Sequence, residues 1–153
     1  MLLLALAAQA SPDGIALQYG VCLSCHGVHG EGRPALGTPR IGDLEASYIE
    51  TQLRAFRDGS RQIDPEHAGS QAMLAVAKGL PEASLAPLAS YVAALEPEVL
   101  DPTEGDPAGA TLWTGCAACH GADGTGNPAL NAPSLVYQEP AYLAYALESY
   151  REG

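Results

Sequence analysis

Positive charge is scarce in this chain. Its 153 residues hold 7 lysines and arginines against 18 aspartates and glutamates, a formal net charge of −11. Lys78 is the only lysine. Nucleic acid is therefore not an expected partner, because phosphate binding needs a basic face. A protein with a basic docking patch fits better, because opposite fields steer encounter, although plain solubility accounts for the acidity equally well. Long apolar runs are also lacking. The opening "MLLLALAAQAS" is apolar only from Leu2 to Ala8, far short of the roughly 20 residues needed to cross a bilayer. No other segment is long enough, so no transmembrane segment is expected. Methionine is nearly absent as well: beyond the initiator there is only Met73. No activated serine, carboxylate pair or nucleophile constellation is present, so no enzyme is expected.

What the start does contain is the apolar part of a secretory signal. Ala8-Gln9-Ala10 fits the small-x-small cleavage pattern before Ser11. The usual basic residue at the extreme N-terminus is missing, so residues 1–10 read as the remnant of a longer signal. A short buried helix fits less well, because these residues show no amphipathic stripe. The chain is expected to be exported and soluble.

All four cysteines fall in two pairs, Cys22/Cys25 and Cys116/Cys119, each followed at once by histidine, in "CLSCH" and "CAACH". A disulfide framework suits an exported chain, but two-residue spacing twice over is an odd way to staple loops. A structural zinc site can use two C-x-x-C pairs, but the long gap between them argues against the compact zinc modules. A thioredoxin-like redox pair wants a βαβ context, and no β-branched strand run lies near either pair. The histidine decides: C-x-x-C-H is the haem c attachment signature. The two thiols add to the porphyrin vinyl groups, and the adjacent imidazole becomes an axial ligand of the iron. Two covalently attached haem c groups are expected, with His26 and His120 as iron ligands.

The two motifs belong to an internal repeat. Shifted by 94 residues, Cys22 meets Cys116, Cys25 meets Cys119 and His26 meets His120. Pro39 meets Pro133, Tyr48 meets Tyr142, Leu53 meets Leu147 and Arg57 meets Arg151. From Cys22 to Gly59, 15 of 38 positions are identical. Between the copies, residues 96–107 hold three prolines and five acids without a helical stripe, and read as a stiff solvated linker. The expected organisation is a first domain over 11–95, the linker, and a second domain over 108–153. The second copy lacks a counterpart of 60–95, so truncation at the C-terminus is expected. A complete chain would continue for about 36 residues, with a methionine near the position 94 beyond Met73 if the repeat persists.

The pattern within the complete copy is all-α. A helix is expected over 13–24, with Ile15, Tyr19 and Val21 available to pack. The run "GVHGEGRPALGTPR" should form an irregular loop over the haem, its glycines allowing close backbone approach to the porphyrin. Tyr48, Ile49, Leu53 and Phe56 form a helical stripe over 45–58, closed by Gly59. Ser70 is a candidate cap for a helix over 71–78. A last helix over 84–95 carries Leu88, Tyr91, Val92 and Leu95, with Pro87 tolerated in the first turn if Ser84 is the cap.

Taken together, "CLSCHG", the loop to "TPR", "YIETQLRAFRDGSR", "AMLAVAKGL" and "LASYVAAL" resemble class I cytochrome c. The duplication, with "CAACHGADGTGNPALNAPSL" in the second copy, is similar to the periplasmic two-domain, di-haem cytochromes c of the c-four type. The resemblance implies two tandem class I domains, the second incomplete, in the periplasm. It puts an axial methionine at the place of Met73, 47 residues after His26. A thioether there raises the reduction potential; the alternative is a core filler. His67 is a rival ligand, though a solvated loop histidine is the plainer reading. The resemblance further implies that the carbonyls of Pro39 and Pro133 hold the second nitrogen of each axial histidine. Tyr48 and Tyr142 match the aromatic that faces the haem propionates. Arg57 and Arg61 are candidates to offset propionate charge, and Trp113 stands where the first copy has Tyr19. Helix surface or core packing accounts for these last five equally well.

The expected function is single-electron transfer in the periplasm, between a quinol-oxidising complex and a terminal oxidase or reductase. The alternative is the haem-bearing acceptor subunit of a dehydrogenase, such as flavocytochrome c sulfide dehydrogenase. A third reading is a sensory or peroxide-reactive second haem with an open coordination site, since that copy contains no methionine.

Overall fold

The computed structural model describes residues 11–61, 63–98 and 106–152. The signal remnant and the centre of the linker lie outside the described residues. Helices α1 Pro12–Tyr19, α2 Leu23–His26, α3 Ala46–Asp58, α4 Ala68–Gly79 and α5 Leu85–Ala93 belong to the first repeat, and α6 Pro107–His120 and α7 Pro140–Glu152 to the second. Short 3₁₀ turns cover Pro34–Leu36, Glu82–Ser84 and Pro128–Leu130. No strand occurs among the described residues; the only β-pairings are two isolated bridges, Arg33 with Thr38 and Asn127 with Ala132. They occupy equivalent places in the two repeats.

Local chemistry explains most helix limits. Ser11 caps α1 by accepting from the Gly14 N–H at 3.1 Å, and Pro12 occupies the first position, where it has no hydrogen bond to lose. Asp106 caps α6 in the same way through the Ala108 N–H at 2.8 Å. Gly59 ends α3 at φ 79°, as expected from a left-handed C-terminal residue. Pro87 sits in the first turn of α5 and Ser84 occupies the cap position, but its hydroxyl makes no capping bond.

Two helix limits differ from expectation. The helix expected over 13–24 breaks after Tyr19 and restarts at Leu23. At the break a Cβ on Gly20 would lie 2.8 Å from the Leu17 carbonyl oxygen, so glycine allows a turn that another residue would obstruct. The equivalent residue in the second repeat is Thr114, and there α6 runs unbroken into His120. Val21, expected to pack, is thereby turned outward and exposed. The second difference is α4, which starts earlier than 71. Its cap is His67, whose side chain accepts from the Ser70 N–H.

The core lies in the first repeat, around α5. Leu85, Leu88, Ala89 and Val92 of α5 pack with Ile15 and Tyr19 of α1, Ile49 of α3 and Leu80 after α4. Helix α3 also lies against α4. In the second repeat no residue of α6 or α7 is buried to this degree, and Leu112, Leu147 and Tyr150 are exposed.

Candidate functional site

Cys22 stands just before α2, and Cys25 and His26 lie within it. His26 is 4 % exposed. Its Nδ1 lies 2.9 Å from the Pro39 carbonyl oxygen. Burial holds its pKa below the ordinary value, against the opposing pull of that carbonyl. A neutral imidazole that donates through Nδ1 keeps its Nε2 lone pair free for a metal. The second repeat reproduces the arrangement. His120 ends α6, and its Nδ1 lies 2.8 Å from the Pro133 carbonyl oxygen.

The glycines of these loops secure the proline carbonyls. Gly32 has φ 83°, and a Cβ there would lie 2.8 Å from the Pro39 carbonyl carbon. Gly126 has φ 91° and stands in the same relation to Pro133, also at 2.8 Å. Their N–H groups donate to the carbonyls of His26 at 2.9 Å and His120 at 2.8 Å. At these two glycines the loop closely approaches its own returning backbone. Thr38 adds a hydroxyl bond to the Cys25 carbonyl in the first repeat.

The four thiols are free, so neither pair is a disulfide. Burial, with a smaller contribution from Cys25, pushes the Cys22 thiol up to about 11, the opposite of the lowered pKa of a redox-active dithiol. No cluster of three or more His, Cys, Asp or Glu able to hold a metal forms among the described residues. Two reduced thiols beside a histidine with a free Nε2, present twice, are the donor set that covalent haem requires.

The remaining expected residues are placed as follows. Met73 is half-buried in the middle of α4, one turn beyond the buried Ser70. His67 is not a solvated loop residue: besides capping α4, its ring stacks on Tyr145 at 4.2 Å. Burial, and then Tyr142, push the Tyr48 hydroxyl up to about 12. Tyr142 accepts from Arg61 at 2.9 Å, and the Arg61 guanidinium lies over Phe56 at 4.7 Å. Arg57 is committed elsewhere, to an ion pair with Glu82 at 2.9 Å on the exposed side of α3. Trp113 donates to the Ala122 carbonyl at 2.9 Å. Sequence reasoning missed the seam between the repeats. There the Gln138 side-chain amide pairs with the Arg40 backbone in both directions, at 2.9 and 2.8 Å, and the Arg40 guanidinium is buried, donating to the Glu98 carbonyl at 3.1 Å.

Comparison with known proteins agrees with this geometry. The family described as cytochrome c matches residues 13–96 and again 107–152. The thiosulfate dehydrogenase electron acceptor of Thiomonas intermedia is 33% identical over 96% of this chain and 70% of its own length. Cytochrome c4 of Azotobacter vinelandii is 31% identical over 95% of this chain and 76% of its own. Among solved structures, reduced recombinant cytochrome c4 from Pseudomonas stutzeri superposes with a TM-score of 0.75 at 29% identity, over 94% of this chain and 81% of that one. Thiosulfate dehydrogenase from Marichromatium purpuratum gives a TM-score of 0.66 at 31% identity over 84% of this chain, which spans only 29% of that longer chain. With two haem-type C-x-x-C-H sites on an all-α fold, the chain belongs to the cytochrome c family, as a cytochrome c4-like di-haem electron-transfer protein whose cofactor is covalently attached haem c with its iron.

Proposed function

We propose that the protein is a periplasmic carrier that passes single electrons between respiratory complexes, one haem in each repeat, over 11–95 and 108–153. The observation that carries this reading is the duplicated histidine-to-proline-carbonyl bond, at 2.9 and 2.8 Å. In each repeat it leaves one imidazole nitrogen free beside two reduced thiols. Cys22 and Cys25 anchor the first haem and Cys116 and Cys119 the second. His26 and His120 are the iron ligands, and the Pro39 and Pro133 carbonyls fix their orientation. Met73 would supply a thioether ligand to the first haem. Tyr48, Tyr142 and Arg61 would hold the propionates, and the guanidinium would offset their negative charge. The bound haem supplies one-electron cycling of its iron; the chain sets the potential and the docking surface. No helix among the described residues is long and apolar enough to cross a membrane, and the apolar start with its small-x-small pattern supports export.

The test is a redox titration followed by optical spectra, comparing the full chain with Met73→Ala. The substitution is expected to remove the sulfur-to-iron absorption band of one haem and to lower one of two potentials. An unchanged spectrum would take Met73 out of the site.

A second reading follows from the names of two relatives, the thiosulfate dehydrogenase electron acceptors of Thiomonas intermedia and Stutzerimonas stutzeri. On that reading the chain is the acceptor of a dehydrogenase and not a free carrier. Stable co-purification with a second polypeptide supports it, and a monomer that exchanges electrons freely with several partners rejects it.

A further inference from the structure

The two repeats meet at the segment that presents Met73. Tyr142 and Tyr145 stand one turn apart on α7, with ring centroids 6.4 Å apart. Tyr142 accepts from Arg61, just beyond the end of α3. Tyr145 reaches the start of α4. Its hydroxyl lies 2.5 Å from Ser70 Oγ, and its ring stacks on His67 at an interplanar angle of 24°. Together the two tyrosines hold both ends of the stretch that joins α3 to α4.

The direction of the hydrogen bonds follows from the helix cap. His67 Nδ1 accepts from the Ser70 backbone N–H at 3.1 Å, so this nitrogen carries a lone pair. It lies 3.0 Å from Ser70 Oγ, so the serine hydroxyl is the donor to it. Ser70 Oγ is then left to accept from Tyr145. The chain of donors runs from the second repeat, through a serine that is 6 % exposed, to the cap of α4. Helix α4 has only two buried residues, Ser70 and Ala77. Met73 lies between them, one turn from Ser70 and therefore on its side of the helix. Leu80, just past its end, joins the far end of α4 to the core of the first repeat. At the near end Tyr145 contacts both Ser70 and His67. The repeat counterpart of Tyr145 is Thr51, so the contact has no equivalent from the duplication itself.

We infer that Tyr145 is a positioning residue for the sixth ligand of the first haem: through Ser70 and His67 the second repeat holds the N-terminal half of α4, and so holds Met73 on the iron. This rests on the reading of Met73 as that ligand.

The test uses the full-length ferric holoprotein, with imidazole as the competing ligand and the sulfur-to-iron band as the second readout. Met73→Ala identifies the imidazole-binding phase that belongs to the first haem, because it removes the competitor there. Tyr145→Phe keeps the stacked ring and deletes one hydrogen bond; Ser70→Ala deletes that bond from the other side together with the serine bond to His67 Nδ1. Each is expected to strengthen imidazole binding in that phase by about two- to tenfold, the range set by one net hydrogen bond, and to weaken the band. In the Met73→Ala background Tyr145→Phe is expected to have no further effect. Unchanged imidazole affinity in Tyr145→Phe and Ser70→Ala, with Met73→Ala strongly affected, overturns the proposal. So does an effect of Tyr145→Phe that persists without Met73, even if melting temperature falls. If Met73→Ala itself changes neither readout, the ligand assignment fails, and the proposal with it.

Discussion

Tyr19 donates its hydroxyl to the Gly27 carbonyl at 2.7 Å, and Trp113, 94 residues later, donates its indole N–H to the Ala122 carbonyl at 2.9 Å. Two different aromatics thus pin the turn that follows each C-x-x-C-H histidine. The first bond is buried and the second exposed, so their energetic weights differ. Burial also raises the Tyr19 hydroxyl pKa above its ordinary value, so it remains a donor throughout the neutral range. Tyr19→Phe leaves a buried carbonyl without a partner and is expected to cost about 1–3 kcal/mol. Trp113→Phe should cost less in hydrogen bonding, because water replaces the exposed donor. Urea denaturation of the two variants measures the difference; equal losses would refute the burial argument. In the core, Leu88 is 1 % exposed, and Leu88→Ala is expected to lower stability by about 2–5 kcal/mol in the same assay. The covalently bound haem c was legible in the sequence because C-x-x-C-H spacing is itself the chemistry. The weight of the Tyr19 and Trp113 bonds was not, since it depends on what covers each carbonyl.

At the scale of elements, equivalent stretches of the two repeats fold differently, and the cause is local. Gly20 permits the break between α1 and α2; Thr114 continues α6. Gly20→Thr is expected to force the turn open against the Leu17 carbonyl and to cost about 1–3 kcal/mol, as overpacking does. Thr114→Gly should cost only a few tenths of a kcal/mol, because both residues are poor helix formers. Calorimetry of the pair checks the asymmetry, and comparable shifts from both would reject it. The stripe Tyr48, Ile49, Leu53 and Phe56 placed α3 correctly, because helical periodicity is written in adjacent turns. The start of α4 was misplaced because a serine before an apolar run signals a cap, and nothing local shows that a histidine three residues earlier takes that role. His67 does so while its ring is stacked on a tyrosine from the other repeat.

At the scale of the whole molecule, the net charge of −11 governs encounter with partners. Electron exchange with a basic redox partner is expected to slow steadily as ionic strength rises from about 0.01 to 1 M, while the screening length falls from about 30 to 3 Å. Stopped-flow rates against salt measure this, and a rate that climbs with salt would point to an acidic partner instead. The cofactor chemistry, the duplication and the all-α class can all be read from the residues alone. Each of these is recorded in short-range spacing, such as C-x-x-C-H, or in a constant offset along the chain. How the repeats meet is set in the folded molecule. Gln138 pairs with Arg40 across 98 positions and Tyr145 with Ser70 across 75. The repeat counterparts of Gln138 and Tyr145 are Leu44, which has no amide, and Thr51, whose hydroxyl donates to the Ser47 carbonyl within its own helix at 2.8 Å. A seam built from residues that differ between the copies leaves no periodic trace in the sequence, and it exists only once the two folded repeats bring those side chains together.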